Sequence, residues 1–359
     1  MPTKSEKNFP ATLVRFPASA AEERGVAFYL AAEECIARWY AAGSFLFSWQ
    51  TKPTCVIGRH QIMHRELDVD FCRREGIDIV RRKSGGGAIF SDEGNVMWSF
   101  VAPGGAVEPI FAEYAQAVSG ALRALGSDAR ATGRNDIVIG DGQKVCGNAF
   151  YHLAGRNIVH GTMLYDTNAA RMQGALRPAP EKLQQRGVES VRRRVGLLKS
   201  QIPGGVAQMR ADLERLLTTA EPLLLTEPQV SEIRAVAAGY AESAYLYGAG
   251  GRADIVLAER FPGVGGVEIC LRLKGSLVED VTLAGDYFET GEAGGAAECF
   301  CRVLAGLPAT RSSLAEAAAQ ATGPTGVRGL SWQDVAGMAV RATAEDFVAP
   351  AGNSETRND

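Results

Sequence analysis

Lys144-Val145-Cys146-Gly147-Asn148-Ala149 sets one cation before a run of small residues. A lysine on a strand is ordinarily a solvent-facing charge. Here the small patch leaves room for a ligand. An ammonium fixed beside it can hold the α-phosphate of a nucleotide and stabilise negative charge as it builds up. A second stretch, Arg81-Arg82-Lys83-Ser84-Gly85-Gly86-Gly87, offers the fork of Arg82, the hydroxyl of Ser84 and three residues without Cβ. It is neither G-x-G-x-x-G nor a Walker A loop. Three glycines alone read as a turn or bulge. With their cationic neighbours they read equally as a surface along which a phosphate or an elongated ligand lies. Alternation along the strand turns Lys83 away from Arg82 and Ser84, into water.

Two shorter signals accompany these. Arg134-Asn135-Asp136 is a turn, or else places Asp136 to orient Lys144 or to help hold magnesium. His160-Gly161-Thr162 contains a histidine that is either a core-edge residue or a second contributor to a site.

The elements that must carry these residues are mostly strands. FLFSWQ (45–50), TCVIG (54–58) and IDIVRR (77–82) are β-rich. AIF (88–90) and VMWSFVA (96–102) flank the polar turn Ser91–Asn95 and predict a hairpin. DIVIGDGQKVCGNAFY (136–151) predicts another around Asp141-Gly142, and HGTMLYD (160–166) a further strand. Helical spacing covers 20–41, 108–125 and 203–236. The Arg- and Gln-rich segment 170–200 reads as a long surface connection, and Gly-rich YGAGG (247–251) as a domain boundary. Beyond it, 266–286 reads as two strands around Lys274-Gly275 and 290–304 as a helix. Hairpins outnumber helical crossovers, which predicts an α+β fold with largely antiparallel sheets rather than a doubly wound parallel one.

Bulk properties exclude several classes. The 359 residues carry a net charge of −3, which does not mark a nucleic-acid binder. Two basic clusters, Arg73 to Lys83 and Arg186 to Lys199, are solvated faces or sites for an acidic partner. The seven cysteines are scattered with no C-x-x-C pair, so neither zinc nor a disulfide framework is indicated. No signal peptide and no membrane-length apolar run is seen, and the expected location is the cytoplasm.

Taken in order, these motifs resemble the lipoate–protein ligases. Arg82 to Asn95 matches the family's Arg, one variable residue, Ser-Gly-Gly-Gly-Ala and Asp-x-Gly-Asn. Gly133 to Asp136, Lys144 to Ala149 and His160 to Leu164 match its next three motifs, with Met163 for one Leu. Pro53 to Gln61, Glu66 and Arg186 to Val195 also fit, and the order holds over roughly residues 12 to 200. A looser match from Tyr245 to Glu268 is similar to the start of the family's C-terminal accessory domain. Two positions depart: Ser91 stands where many relatives have a histidine, and Cys146 where many have Ser or Ala.

The resemblance implies a large catalytic domain over 1–249, with mixed, mainly antiparallel sheets flanked by helices as in biotin and lipoate ligases. A small α+β domain over 250–348 and a disordered tail over 349–359 would follow. It implies activation of lipoate with ATP and magnesium to lipoyl-AMP. The lipoyl group then passes to one lysine of a lipoyl-domain protein, an E2 subunit of a 2-oxoacid dehydrogenase or the H protein of glycine cleavage. Neither nucleic acid nor membrane is an expected partner.

In that reading Lys144 is the catalytic residue. Arg82, Ser84, Gly85, Gly86, Gly87, Ala88 and Asn95 belong to the substrate and ATP site, with the glycines as its wall. So do Asn135, Asp136, Gly147, Asn148, Ala149, His160, Gly161 and Thr162. Asp136 is also the candidate magnesium ligand, and Arg192 to Arg194 would steer an acidic lipoyl domain. The alternatives are an octanoyl or lipoyl transferase that works through a cysteine thioester, a biotin–protein ligase and a non-catalytic lipoate-binding protein. Cys146, the one cysteine near the motifs, reads as inert.

Overall fold

The computed structural model describes residues 11–18, 25–132, 135–177, 195–218, 221–248, 253–291 and 294–343. Gly133, Arg134, Arg186, Arg192 to Arg194, most of the Gly-rich stretch and the tail from 349 lie outside the described residues. The chain divides into two units. One comprises Met1–Arg59, Met63–Ser84 and Ala88–Leu246; the other comprises His60–Ile62, Gly85–Gly87 and Tyr247–Asp359.

The first unit is built on strands β1 (Thr12–Arg15), β2 (Phe45–Trp49), β3 (Thr54–Ile57), β4 (Asp78–Arg81), β5 (Ile89–Ser91) and β6 (Asn95–Pro103). They are followed by β7 (Arg130–Ala131), β8 (Asp136–Ile139), β9 (Gln143–Leu153), β10 (Arg156–Leu164) and β11 (Leu223–Leu224). Eight of these form one sheet in the order β11-β1-β2-β6-β10-β9-β8-β7, and β4-β3-β5 form a small second sheet. From β2 to β7 every pairing in the large sheet is antiparallel, while β1 runs parallel to β2 and to β11, and β3 parallel to β4. The fold is therefore α+β with mixed sheets.

Helix Val26–Trp39 covers one face of the large sheet. Its Phe28, Tyr29, Ala32 and Ile36 pack with Phe47, Trp49, Met97 and Val101. Its residues from Phe28 to Ala37 are all buried, including Glu33 and Glu34. Tyr114 of helix Val107–Ala124 stacks on Phe100 at 5.6 Å, and Phe111 lies 6.0 Å from Phe150. Phe100 and Phe150 are neighbours, by alternation, of residues that face the other way, so this helix covers the second face.

Several expectations are corrected. Ile89–Ser91 and Asn95–Pro103 are not a hairpin, because β5 pairs with β3 and β6 with β2 and β10. Segment 170–200 is not uniformly a connection, since Ala169–Ala175 is helical with Asn168 as its cap. The span 203–236 holds two helices, Val206–Leu217 and Glu227–Ala238, with β11 between them. Strand β10 starts at Arg156, after a tight turn in which both Ala154 (φ 52°) and Gly155 (φ 70°) are left-handed, as a two-residue hairpin loop requires.

In the second unit β12 (Ile255–Phe261), β13 (Gly265–Lys274) and β14 (Leu277–Gly285) form an antiparallel meander. Helices Gly295–Leu304, Arg311–Gln320 and Trp332–Arg341 share a core with it, built on Phe300, Trp332, Leu271 and Val281. Periodicity indicated β13, β14 and the first of these helices, but not β12 or the last two helices.

At the turn into β6, Gly94 has no room for a side chain. A Cβ there would overlap the carbonyl oxygen of Asp166, whose N–H donates to the Gly94 carbonyl at 2.9 Å. Gly94→Ala is expected to cost about 2 kcal/mol and to lower the melting temperature by roughly 5 °C, read by thermal unfolding.

Candidate functional site

Cross-strand register places the motif residues in neighbouring rows. Asp136, Gly147 and Thr162 are paired across β8, β9 and β10; Asn148, Gly161 and Trp98 make the next row, and Ala149, His160 and Ser99 the one after. Alternate rows face opposite sides of the sheet. His160 and Ser99 point to helix Val26–Trp39, so Ala149, Gly147, Thr162 and Asp136 share that face. Asn148 and Gly161 belong to the other face.

On the first face, Lys144 Nζ lies 2.7 Å from Asp136 Oδ1, and both side chains are partly exposed. The lysine lies across Gly147: a Cβ there would sit 2.5 Å from Nζ and 2.6 Å from Cε. A side chain at 147 would therefore displace the far end of the lysine from this path. Asn135 and Asn148 hold this hairpin in register. Asn135 Nδ2 donates to the Asn148 carbonyl at 3.1 Å, and Asn148 N–H and Nδ2 donate to the Asn135 carbonyl at 2.9 and 3.0 Å. Asn135 and Asn148 therefore act here as backbone clamps.

Further along the same face runs a buried polar chain. Arg82 Nε donates to Ser84 Oγ at 2.9 Å and Arg82 Nη1 to the Val56 carbonyl at 3.1 Å. Ser84 Oγ is 2.7 Å from His160 Nε2, and His160 Nδ1 is 3.0 Å from Glu33 Oε2. Glu33 also accepts from Ser99 Oγ at 2.6 Å and from the Tyr151 hydroxyl at 3.4 Å. Trp49 Nε1 completes the chain on Ser99 Oγ at 2.9 Å. Burial lowers the Arg82 guanidinium to about 10, so it stays a cation at neutral pH.

Glu33 is the residue that motif reading missed. Its signal is in the sequence: two adjacent glutamates, Glu33-Glu34, inside an otherwise apolar helical run. A carboxylate at such a position is retained only with partners.

Lys83 corrects another expectation. It does not point into water. Its Nζ is 2.7 Å from Glu34 Oε1, and the Glu34 side chain is fully buried. Asn95 is not brought to the site; it lies at the start of β6, opposite Leu164, and donates to Thr167 Oγ1 at 3.1 Å. Ala88 packs beside a separate small core of Cys55, Ile57 and Phe90. Ser91 is buried on β5 opposite Thr54.

The three glycines belong to the second unit and differ among themselves. Gly86 has φ +87° and donates its N–H to the Tyr287 carbonyl at 3.2 Å. A Cβ on Gly85 would overlap that same carbonyl oxygen, whereas nothing lies within 4 Å of the corresponding point on Gly87. Gly86 bends the chain, Gly85 permits a close backbone approach and Gly87 leaves space.

Among the described residues no group of three or more His, Cys, Asp or Glu side chains is arranged to hold a metal. Asp136 has Lys144 as its counter-ion. No helix among the described residues is long and apolar enough to cross a membrane.

Comparison with known proteins bears on the family. Residues 26–217 match the family model of the lipoyl protein ligase A/B catalytic domain. The lipoate-protein ligase LplJ of Bacillus subtilis is 30% identical over 274 residues, covering 73% of this chain and 82% of that protein. A bipartite lipoate protein ligase from Thermoplasma acidophilum, solved in a study that includes its E2 lipoyl domain, is 25% identical. Its TM-score is 0.59, over 67% of this chain and 97% of that one. The LipL1 structure of P. falciparum with lipoate covers 90% of this chain and 97% of its own, with a TM-score of 0.71 at 16% identity, a likeness of fold.

Cys146 sits on the far face of the sheet from Lys144 and His160. Its Sγ donates to Asn148 Oδ1 at 3.4 Å. Burial pushes its thiol up to about 12, against a smaller downward pull from Lys144. An unfolded thiol ionises near 8.5. The buried thiol therefore favours the fold fully below that pH, and the contribution fades as pH rises from there toward 12. Native protein treated with iodoacetamide at pH 8 is expected to stay unmodified at Cys146 by peptide mass spectrometry, and denatured protein to be alkylated there.

Proposed function

The chain belongs to the lipoate–protein ligase family, and we propose that it works as an ATP-dependent, adenylate-forming member acting on lipoyl-domain proteins. The lipoate carboxylate attacks the α-phosphate of ATP, pyrophosphate leaves, and lipoyl-AMP remains. The neutral amine of an acceptor lysine then attacks the acyl carbon, an amide forms and AMP leaves. No side-chain nucleophile of the enzyme is needed, because the acceptor supplies one.

The observation that carries this reading is the Lys144–Asp136 pair laid across Gly147. A partly exposed ammonium, held by one carboxylate over a backbone without Cβ, is set to meet a phosphate and the charge that develops on it. Asn135 and Asn148 keep the hairpin that carries it in register. A nucleotide brings its magnesium largely on its own phosphates, and the residues proposed to meet those phosphates are Lys144 with Asp136. The roles proposed for Arg82, Ser84 and His160 are to shape and orient the acyl-substrate side of the site, with Glu33 behind them. Gly85 and Gly86, closed against Tyr287, are not part of this proposal.

The acceptors proposed are E2 lipoyl domains and H protein, as a ligase that reads an exposed lysine on a lipoyl domain would use; the E2 lipoyl domain studied with the Thermoplasma acidophilum ligase supports this class. The cytoplasm, where ATP is at hand, is the proposed location. The position of Cys146 argues against a thioester transferase. Its thiol is buried on the face that the lysine does not share.

Mass spectrometry of an apo lipoyl domain incubated with the enzyme, ATP, magnesium and lipoate is expected to show one added lipoyl group on one lysine. No gain would overturn the proposal. Lys144→Ala is expected to reduce lipoate-dependent exchange of labelled pyrophosphate into ATP by about 100-fold or more. Full exchange by that variant would remove Lys144 from the chemistry.

A further inference from the structure

Four consecutive side chains, Arg81 to Ser84, tie the end of β4 to different parts of the first unit. Arg81 donates to the carbonyls of Gly58 at 2.9 Å, Arg59 at 3.0 Å and Leu246 at 2.9 Å. Arg82 reaches Val56 and Ser84, and Ser84 meets His160. Lys83, between those two, reaches the covering helix. Its Nζ lies 2.7 Å from Glu34 Oε1 and 5.5 Å from the centre of the Tyr240 ring. Glu34 accepts in addition from the Tyr240 hydroxyl at 2.5 Å and from Arg38 Nη2 at 2.8 Å.

Glu33 and Glu34 are neighbours on one helix, and they hold neighbours in the segment that follows β4. Glu33 holds Ser84 through His160, and Glu34 holds Lys83 directly. Parting a carboxylate as buried as Glu34 from its donors would leave it without partners away from water, so those partners are held in one geometry. A surface lysine would sample many rotamers; this one is fixed between a buried carboxylate and an aromatic face. Its loss would free the residue between Arg82 and Ser84.

We infer that Lys83 is a positioning residue: its pair with Glu34, braced by Tyr240, fixes the Arg82–Ser84 stretch and with it the Ser84–His160 hydrogen bond. The effect on substrate rests on the ligase reading above. It acts on the acyl substrate and not on the nucleotide, because Lys144 and Asp136 lie on a separate hairpin.

The test uses the full-length enzyme in lipoate-dependent pyrophosphate exchange, with nitrogen-15 NMR of the histidine side chains. Lys83→Met is expected to raise the KM for lipoate about tenfold and to leave that for ATP within about twofold. Lys83→Arg is expected to recover the lipoate KM to within about threefold of the parent. Arg38→Met removes another partner of Glu34 without touching the strand, and should leave the lipoate KM within about twofold. An unchanged lipoate KM in Lys83→Met, or an equal rise in Arg38→Met, would overturn the inference. Should Lys83→Met not fold, Tyr240→Phe is expected to raise the lipoate KM about threefold, and no rise would overturn it. Should the parent protein show no exchange, the ligase reading fails on its own. The positioning role is then judged by the His160 Nε2 resonance, which shifts in Lys83→Met if the role holds and stays in place if it does not.

Discussion

A carboxylate with no water around it constrains everything near it. Glu33 is fully buried on the helix that covers the large sheet, and an ion there is tolerable only with hydrogen-bond donors on both oxygens. Its partners come from three strands: Ser99 from β6, His160 from β10 and Tyr151 from β9. Those contacts specify more than a helix position. They require Ser99 and His160 to be in one row of the sheet, which is the observed register. A slip of one residue would turn His160 to the other face and deprive the carboxylate of its histidine partner. The same register then places Gly147 opposite Thr162, and Asp136 opposite Gly147. The setting of Lys144 thus depends on a contact several rows away.

The pleat divides the labour between the two faces. Toward helix Val26–Trp39 lie the lysine, its aspartate, the histidine and the serine that approaches it. Toward helix Val107–Ala124 lie Cys146 and the side chain of Asn148, packed in the space that Gly161 leaves open. A thiol on that side is desolvated, and it is separated by the sheet from the charges that would be needed to activate it. The sequence neighbours Cys146 and Gly147 therefore have unrelated environments.

Much of this was legible because it is local. The strands that flank the site are rich in β-forming residues, and Asp141-Gly142 marks the turn that brings Asp136 to Lys144. The ordered motifs located Lys144, Ser84 and His160 as residues worth pairing. What was not legible is long-range. Ile89–Ser91 and Asn95–Pro103 read as a hairpin because a polar turn joins them, yet each finds a better partner far along the chain. Glu33 went unread because a glutamate in a helix is ordinarily solvated, and only its neighbours in space show otherwise. Lys83 was misread for a related reason. Strand alternation sends it to water, but Arg82 to Ser84 lie beyond the end of β4, and the lysine meets a buried carboxylate on the covering helix.

Lys83 and Lys144 show how burial of the partner assigns a lysine its task. Both sit 2.7 Å from a carboxylate oxygen. Asp136 is partly exposed, so water screens its pair with Lys144, and the net attraction is small. That ammonium can exchange its carboxylate for a phosphate at little cost. Glu34 is fully buried, and separation from Lys83 would leave a charge in a low dielectric with one cation fewer to balance it. That pair resists opening, and its lysine is suited to fixing a backbone and unsuited to meeting a ligand. Distance alone does not distinguish the two pairs; the exposure of the carboxylate does.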